Sequence, residues 1–287
     1  MAVRLLVTGA AGMLGQDVVR AAEGRGHDVS GLARGDLDIT DAEAVTRAVT
    51  AVRPEAVVNC AAWTDVDGAE SREAAALAVN GEGAGAVARA ATEAGAFVVH
   101  VSTDYVFDGT AGAPYAEDAE TNPLSAYGRT KLAGERAVAG AGDGHAIVRS
   151  SWLFGLAGPN FVETMLRLAG ERDSVSVVCD QVGSPTWTGH LAPALVTLAE
   201  DRAAGVHHVA GAGAGSWNAF AAEIFRRAGV SCEVVPATTA EMSRPAPRPA
   251  FSVLGVTRPD TPRLPAWEDG LAAYLAAREA PVAGGRS

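Results

Sequence analysis

The sequence predicts a doubly wound α/β fold: a parallel sheet with helices on both faces, followed by a second, smaller lobe. Three observations carry this. Short apolar runs alternate with helix-like stretches through residues 1–150. The runs are apolar on both faces, as strands buried between two helix layers are. A glycine-rich segment, Gly9 to Gly15, joins the first run to the first helix.

Arg4–Val7 is the first strand, and a helix follows from Gly12 to about Glu23. Asp28–Leu32 reads as the second strand. Thr40 and Glu43 have capping-box spacing and open a helix to about Arg53. Ala56–Asn59 is a third strand, and an alanine-rich helix runs from about Glu70 to Glu93. Phe97–Ser102 is a fourth strand and Ala146–Ser150 a later one, with a helix around Tyr127–Val138 between them. Beyond Ser150, Phe161–Ala169, His190–Glu200 and Trp217–Ala228 have helical spacing. Val175–Cys179 and Val206–Val209 look like strands. Prolines and arginines crowd Pro236–Pro265, which predicts loops with short elements. The tail Pro281–Ser287 is expected to fray.

The chain has 287 residues, 48% of them hydrophobic and 20% charged, enough for a sizeable core and unlike a disordered chain. A net charge of −11 argues against a nucleic-acid partner, though not against a local basic pocket. Three cysteines without a Cys-x-x-Cys pair exclude a disulfide framework and a thiolate zinc cluster. No apolar run is long enough to span a membrane. The start enters a strand at once, without a signal-peptide layout, so the cytoplasm is the expected location.

The segment Thr8-Gly9-Ala10-Ala11-Gly12-Met13-Leu14-Gly15 has a physical logic. Gly9 permits a tight turn, Gly12 lets a pyrophosphate approach the backbone, and Gly15 lets the helix pack closely on the strand. The helix N-terminus then offers free N–H groups to phosphates. This predicts a dinucleotide-binding domain over 1–155, with about 173–210 returning to it. A substrate-binding lobe is expected over about 156–172 and 211–287. At the end of the second strand stands Arg34, where a carboxylate would favour NAD. An arginine there suits a 2′-phosphate, so NADP(H) is preferred and NAD(H) possible. The alternative is an ordinary surface arginine. Asp38 and Ile39 lie where they would edge the adenine.

Lysine occurs once among 23 basic residues, at Lys131, four residues after Tyr127. On a helix the two share a face. A nearby ammonium lowers a tyrosine pKa, and the tyrosine then passes a proton to a carbonyl oxygen as hydride arrives at its carbon. A hydroxyl that orients the carbonyl is available at the end of the fourth strand, from Thr103 or its competitor Ser102.

With these motifs the chain resembles the extended short-chain dehydrogenases/reductases and, more narrowly, the dTDP-4-dehydrorhamnose reductase family. The resemblance rests on Val7–Gly15, Val58–Asp67, Ser102–Gly109, Pro123–Lys131, Arg149–Phe154, Asn160-Phe161 and Asp180–Thr186. It implies a reduction of the C4 ketone of a dTDP-4-dehydro-6-deoxysugar, with Thr103, Tyr127 and Lys131 as catalytic residues. It implies cofactor contacts from Gly12, Met13, Leu14, Asp38, Ile39 and the stretch Ala61, Ala62, Trp63, Thr64. Asp104 and Trp152 match substrate contacts. Some members bind a metal between subunits through glutamates. Asp17 and Gly189-His190 stand at those places here, so no metal is expected, and the chain is taken as a monomer or homodimer.

Other features have plainer readings. His207 and His208 are successive strand residues that face opposite ways and cannot easily share a metal. Cys60 reads as a small buried hydrophobe. Trp187 and Trp217 are core residues or stacking surfaces for a base. Arg244 or Arg248 would clamp a diphosphate, or else be solvated. Two rival functions stay open: a sister 4-ketoreductase of natural-product glycosylation, and a non-catalytic NAD(P)-binding regulatory subunit. A dehydratase or epimerase of the same superfamily is a third, since Asp104 offers an acid beside Thr103.

Overall fold

The computed structural model describes residues 2–280. The expected fraying of 281–287 lies outside the described residues. The elements are β1 (Arg4–Thr8), α1 (Met13–Gly24), β2 (Asp28–Leu32), α2 (Ala42–Val52), β3 (Ala56–Asn59), α3 (Val66–Ser71), α4 (Glu73–Leu77), α5 (Ala84–Glu93), β4 (Phe97–Thr103), α6 (Ala126–Ala139) and β5 (His145–Ser150). There follow β6 (Leu153–Phe154), α7 (Phe161–Ala169), β7 (Ser174–Val178), β8 (Val182–Gly183), β9 (Thr186–Trp187), α8 (Thr188–Asp201), β10 (Gly205–His208), β11 (Gly215–Ser216), α9 (Trp217–Ala228), β12 (Glu233–Ala237), α10 (Thr239–Met242) and α11 (Trp267–Glu279).

Six parallel strands form the main sheet in the order β10-β5-β4-β3-β1-β2. All six C-terminal ends therefore lie along one edge. The order in which successive strands are added reverses between β1 and β3, and ligands of such sheets bind at that point. One face is covered by α1 and α8, with Leu14, Val18, Leu191 and Leu195 packed on Leu5, Val7, Val58 and Val99. The other is covered by α2 and α5, with Val45, Val49, Val87 and Ala91 on Leu6, Val57 and Val98. Alternate strand residues feed the two layers, which is why the strands read as apolar throughout.

A separate apolar cluster joins α7, β7, α9 and α11 through Val162, Met165, Val175, Val177, Phe220, Ile224, Leu271 and Tyr274. Here one expectation is corrected. β7 pairs in parallel with β12 in a two-stranded sheet and not with the main sheet, because Val175 and Val177 bury against α7 and α9. The return to the main sheet is made by α8 and β10.

Two local readings are also corrected. Asp41, not Thr40, caps α2: its carboxylate accepts from Ala44 N at 3.0 Å, while the Thr40 hydroxyl donates to Asp38. The predicted helix Glu70–Glu93 is three helices and a π-helical turn, Ala78–Gly83. Asp65 starts α3 early by capping Gly68 N, and Arg72 leaves helical geometry at φ −134°. The strand β12 and the helix α11 were not foreseen, although Trp267, Leu271 and Tyr274 have helical spacing.

Candidate active site

The glycine loop is a cradle at the end of β1. Gly9 has φ +67°, and a Cβ there would lie 2.7 Å from Ala61 N. At Gly15 a Cβ would run into the Gly9 carbonyl. Gly12 is the N-cap of α1, with no side-chain cap and no acidic residue in the first turn. The N–H groups of Met13 and Leu14 are thus left for an anion.

The other expected cofactor contacts share this edge. Arg34 is exposed just past β2. Asp38 is held below the usual carboxylate range, first by the Thr40 N–H and hydroxyl and then by Arg34. Ile39 is buried under Gly83, where a Cβ would meet Ile39 Cγ1 at 2.9 Å. After β3, Ala61 and Ala62 are half-buried and Thr64 is exposed. Ala61 N donates to Asn59 Oδ1 at 3.2 Å, and Thr8 donates to the same oxygen at 2.6 Å. Trp63 donates its Nε1–H to Asp65 O at 2.9 Å, and the Arg72 guanidinium covers its ring at 4.6 Å.

Asn80 was missed by sequence reasoning. It is buried in the π-helical turn, accepts from Trp63 N at 2.8 Å, and donates to Trp63 O at 3.2 Å and Thr130 Oγ1 at 3.1 Å. It ties the loop after β3 to α6. The only sequence signal was a polar residue before Gly81 and Gly83 in an alanine-rich run.

Thr103 ends β4, and Tyr127 lies in the first turn of α6, capped by Ser125 accepting from Gly128 N at 3.1 Å. Lys131 follows one turn later, buried, and donates to Val101 O at 2.6 Å. The expected lowering of the Tyr127 pKa is not found. Burial pushes the phenol up to about 12; a hydrogen bond with Thr103 lowers it and Asp104 raises it, with no contribution from Lys131. Tyr127 therefore carries its proton at neutral pH, as an acid must. Burial pushes Lys131 down to about 8, opposed by Glu135. Ser102 is not the orienting hydroxyl: it points to the helix side and donates to Glu135 at 2.6 Å.

Asp104 is also placed differently from the expected substrate contact. It is 2% exposed, and its two oxygens accept from Thr103 at 3.0 Å and Ser252 at 2.6 Å. Burial pushes its carboxyl up to about 7. It stands behind Thr103.

A cavity of about 630 Å³ lies beside Tyr105, whose ring meets Tyr127 edge-on at 5.7 Å. Phe161, Met165, Val175, Val177 and Trp217 give it apolar walls, and Arg172, Arg244 and Arg248 line it too. Trp152 stacks on Trp217 at 3.7 Å and 7°, with its backbone at φ +49°. A non-glycine residue in that region is strained, so this rotation is held by the stack. Arg248 is 15% exposed and gives two hydrogen bonds to Asp67, both 3.0 Å. Arg244 is 57% exposed and only 3.4 Å from Asp67.

The remaining candidates are accounted for locally. Trp187 packs against His190 at 4.6 Å. Burial pushes the Cys60 thiol up to about 12. His207 bonds Thr261 and Ala203 O, while His208 bonds Gly255 O. Among the described residues no three His, Cys, Asp or Glu side chains are grouped to hold a metal. No helix there is long and apolar enough to cross a membrane.

Comparison with known proteins gives a consistent result. The family model described as RmlD substrate binding domain matches residues 3–279. A dTDP-4-dehydrorhamnose reductase of Streptomyces griseus is 50% identical over 262 residues, 89% of this chain and 86% of that protein. A dTDP-4-keto-6-deoxy-D-glucose reductase of Streptomyces niveus is 47% identical over 254 residues, 88% of each chain. The crystal structure of dTDP-4-dehydrorhamnose reductase from Bacillus anthracis in complex with NADP is 37% identical. It superposes with a TM-score of 0.94 over 96% of this chain and 100% of that one. A model matched across the whole fold, and relatives about half identical to it, lead to one conclusion: the chain belongs to the dTDP-4-dehydrorhamnose reductase family.

Proposed function

We propose that this protein reduces the C4 ketone of a dTDP-4-dehydro-6-deoxysugar with NAD(P)H, converting dTDP-4-dehydro-L-rhamnose to dTDP-L-rhamnose. What supports the reading is the hydrogen bond between Tyr127 and Thr103 at the end of β4, with Lys131 one turn along α6, on the sheet edge that carries the glycine loop. The residues present fit the cofactor. A Cβ at Gly9 or Gly15 would collide with the backbone that shapes the loop, and the α1 N-terminus has no competing carboxylate. Arg34, exposed beside the ribose edge, supports a preference for NADP(H), with NAD(H) also accepted.

The bound nicotinamide supplies hydride to the ketone carbon. Tyr127 gives its phenolic proton to the carbonyl oxygen, so the C=O becomes CH–OH and a phenolate remains, to be reprotonated from water. Thr103 turns its one hydroxyl proton from Asp104 to the same oxygen and fixes the ketone's orientation. Lys131, one turn further along α6, would hold the nicotinamide ribose. The apolar cavity walls take the thymine, and Arg244, less committed than Arg248, meets the diphosphate. Residues 1–155 with 188–209 thus hold the cofactor, and the rest forms most of the substrate lobe. The enzyme works in the cytoplasm, as a monomer or homodimer.

A second reading, a sister 4-ketoreductase of natural-product glycosylation, is favoured by the Streptomyces niveus relative at 47% identity. The two differ in the ketone face that meets the hydride. The test is oxidation of NADPH, then NADH, with dTDP-4-dehydrorhamnose, and NMR of the product. No oxidation with cofactor binding intact would overturn this substrate and move the choice to another ketosugar or to the regulatory subunit.

A further inference from the structure

Helix α6 carries Lys131 and Glu135 one turn apart on one face. They reach successive residues of β4. Lys131 Nζ donates to Val101 O at 2.6 Å, and Ser102 Oγ donates to Glu135 Oε1 at 2.6 Å. The next residue is Thr103. From the other side Arg149 on β5 grips Glu135 with two hydrogen bonds, 2.9 and 2.8 Å. Arg149 also donates to Glu117 O at 3.2 Å, faces His208 Nε2 at 3.4 Å and lies over the Phe107 ring at 5.1 Å.

The Glu135 and Arg149 side chains are each 5% exposed. Two charges taken this far out of water are weak evidence of stability. An apolar pair of similar volume is often as stable or more so. Stability alone therefore does not explain the pair, whereas its position between the helix of the reacting tyrosine and the strand of the orienting hydroxyl does. We infer that Glu135, held by Arg149, is a positioning residue for the reduction: it fixes the end of β4 against α6 and keeps an anion one turn from Lys131. This deepens the ketoreductase reading and rests on it.

The charge balance around Lys131 agrees. Cys60 at the end of β3 stays a thiol, and buried His100 on β4 is held well below its ordinary pKa and is neutral. Glu135 is then the anion that offsets the burial of Lys131. Around the pair itself, His208 on β10 is pushed down to about 4 and is neutral. The Glu117 carboxylate is taken up by Thr257. Lys131 works as an ammonium, so activity falls as pH rises through its pKa. Removing the anion lowers that pKa and moves the alkaline limb to lower pH.

The test is the double variant Glu135→Leu/Arg149→Met, in which an apolar pair replaces the ion pair. A purely structural role predicts a folded enzyme with wild-type kcat and an unchanged pH profile. The positioning role predicts a folded enzyme with kcat down at least about tenfold, KM for the sugar within about threefold, and an alkaline limb lower by about one pH unit. Wild-type kcat and limb in the folded double variant overturn the inference. Should that variant not fold, Ser102→Ala, which removes one hydroxyl, decides: kcat lower at constant KM supports the inference, and unchanged kcat overturns it. Wild-type protein that fails to turn over the ketosugar would instead refute the reading of the reaction. NADPH binding followed by calorimetry across pH still decides this point, because affinity falls as Lys131 loses its proton, and at lower pH in the double variant.

Discussion

Asn80→Ala tests whether the π-helical turn serves the site. The substitution removes three hydrogen bonds: Trp63 N to Asn80 Oδ1, and Asn80 Nδ2 to Trp63 O and to Thr130 Oγ1. Each contributes about 1 kcal/mol net, and a Trp63 amide left unpaired adds a further ~1 kcal/mol, so the loss is about 3–4 kcal/mol. For a chain of this length that lowers Tm by roughly 5–7 °C. Trp63 lies on the proposed cofactor loop, which must then be ordered at binding, so the Kd for NADPH rises about tenfold, or ~1.4 kcal/mol. Asn80→Asp separates the two faces of the amide. It keeps the acceptor for Trp63 N and loses the donors, and burial raises the new carboxyl's pKa. A group that prefers to stay protonated in the folded state loses stability as pH rises above its unfolded value of about 4. Asn80→Asp is therefore least damaged at acid pH. Scanning calorimetry and NADPH fluorescence titration give both numbers. Wild-type Tm and Kd in Asn80→Ala would refute the assignment of Asn80 as the tie between loop and helix.

Tyr127→Phe loses about 100-fold or more in kcat with NADPH affinity unchanged, read by single-turnover absorbance; near-normal turnover would remove Tyr127 as the acid. Arg34→Ala weakens NADPH by about tenfold and leaves NADH unchanged, since a charged hydrogen bond is worth roughly 1.5–3 kcal/mol; equal losses for both would show that Arg34 does not meet a 2′-phosphate. Gly15→Ala abolishes cofactor binding or folding, because its Cβ has no room beside the Gly9 carbonyl; soluble protein with normal NADPH titration would contradict the cradle. Arg244→Ala raises KM for the sugar nucleotide by about tenfold at constant kcat, the mark of uniform binding lost; an unchanged KM would move the diphosphate to Arg172 or Arg248.

Elements with local causes were legible in the sequence. Asp28–Leu32, Ala56–Asn59, Phe161–Ala169 and Trp217–Ala228 match their elements end to end, because apolar period and capping residues decide them within a few residues. At the candidate site, spacing made local geometry legible: the close backbone packing at Gly9 and Gly15, and Tyr127 and Lys131 one turn apart on α6. It was not legible where tertiary contacts decide. Nothing local shows that Asn80 reaches Trp63, or that Val175–Cys179 leaves the main sheet for Glu233–Ala237. The direction of a pKa shift is the same kind of quantity. Proximity of Lys131 predicted a lowered phenol, but the ammonium is turned to Val101 O and burial dominates.

The arginines carry that point to its end. Twenty-two of the 23 basic residues are arginine, so residue type cannot tell a ligand-binding arginine from a structural one. Pairing can. Arg149 spends its fork on Glu135, and Arg248 spends both ends on Asp67. An arginine so committed must give up charge-assisted hydrogen bonds before it can take an anion. Arg34 is exposed, with its charge felt by Asp38 at a distance, and Arg244 touches Asp67 at only 3.4 Å. Arg172, exposed on the cavity wall, makes no ion pair or side-chain hydrogen bond among the described residues, so uncommitted charge stands past β2 at Arg34 and on the cavity at Arg172 and Arg244. A protein with a net charge of −11 repels a nucleotide sugar at long range, and screening confines that repulsion to about 10 Å. Local arginines that are not neutralised by their own carboxylates are what such a substrate needs to stay.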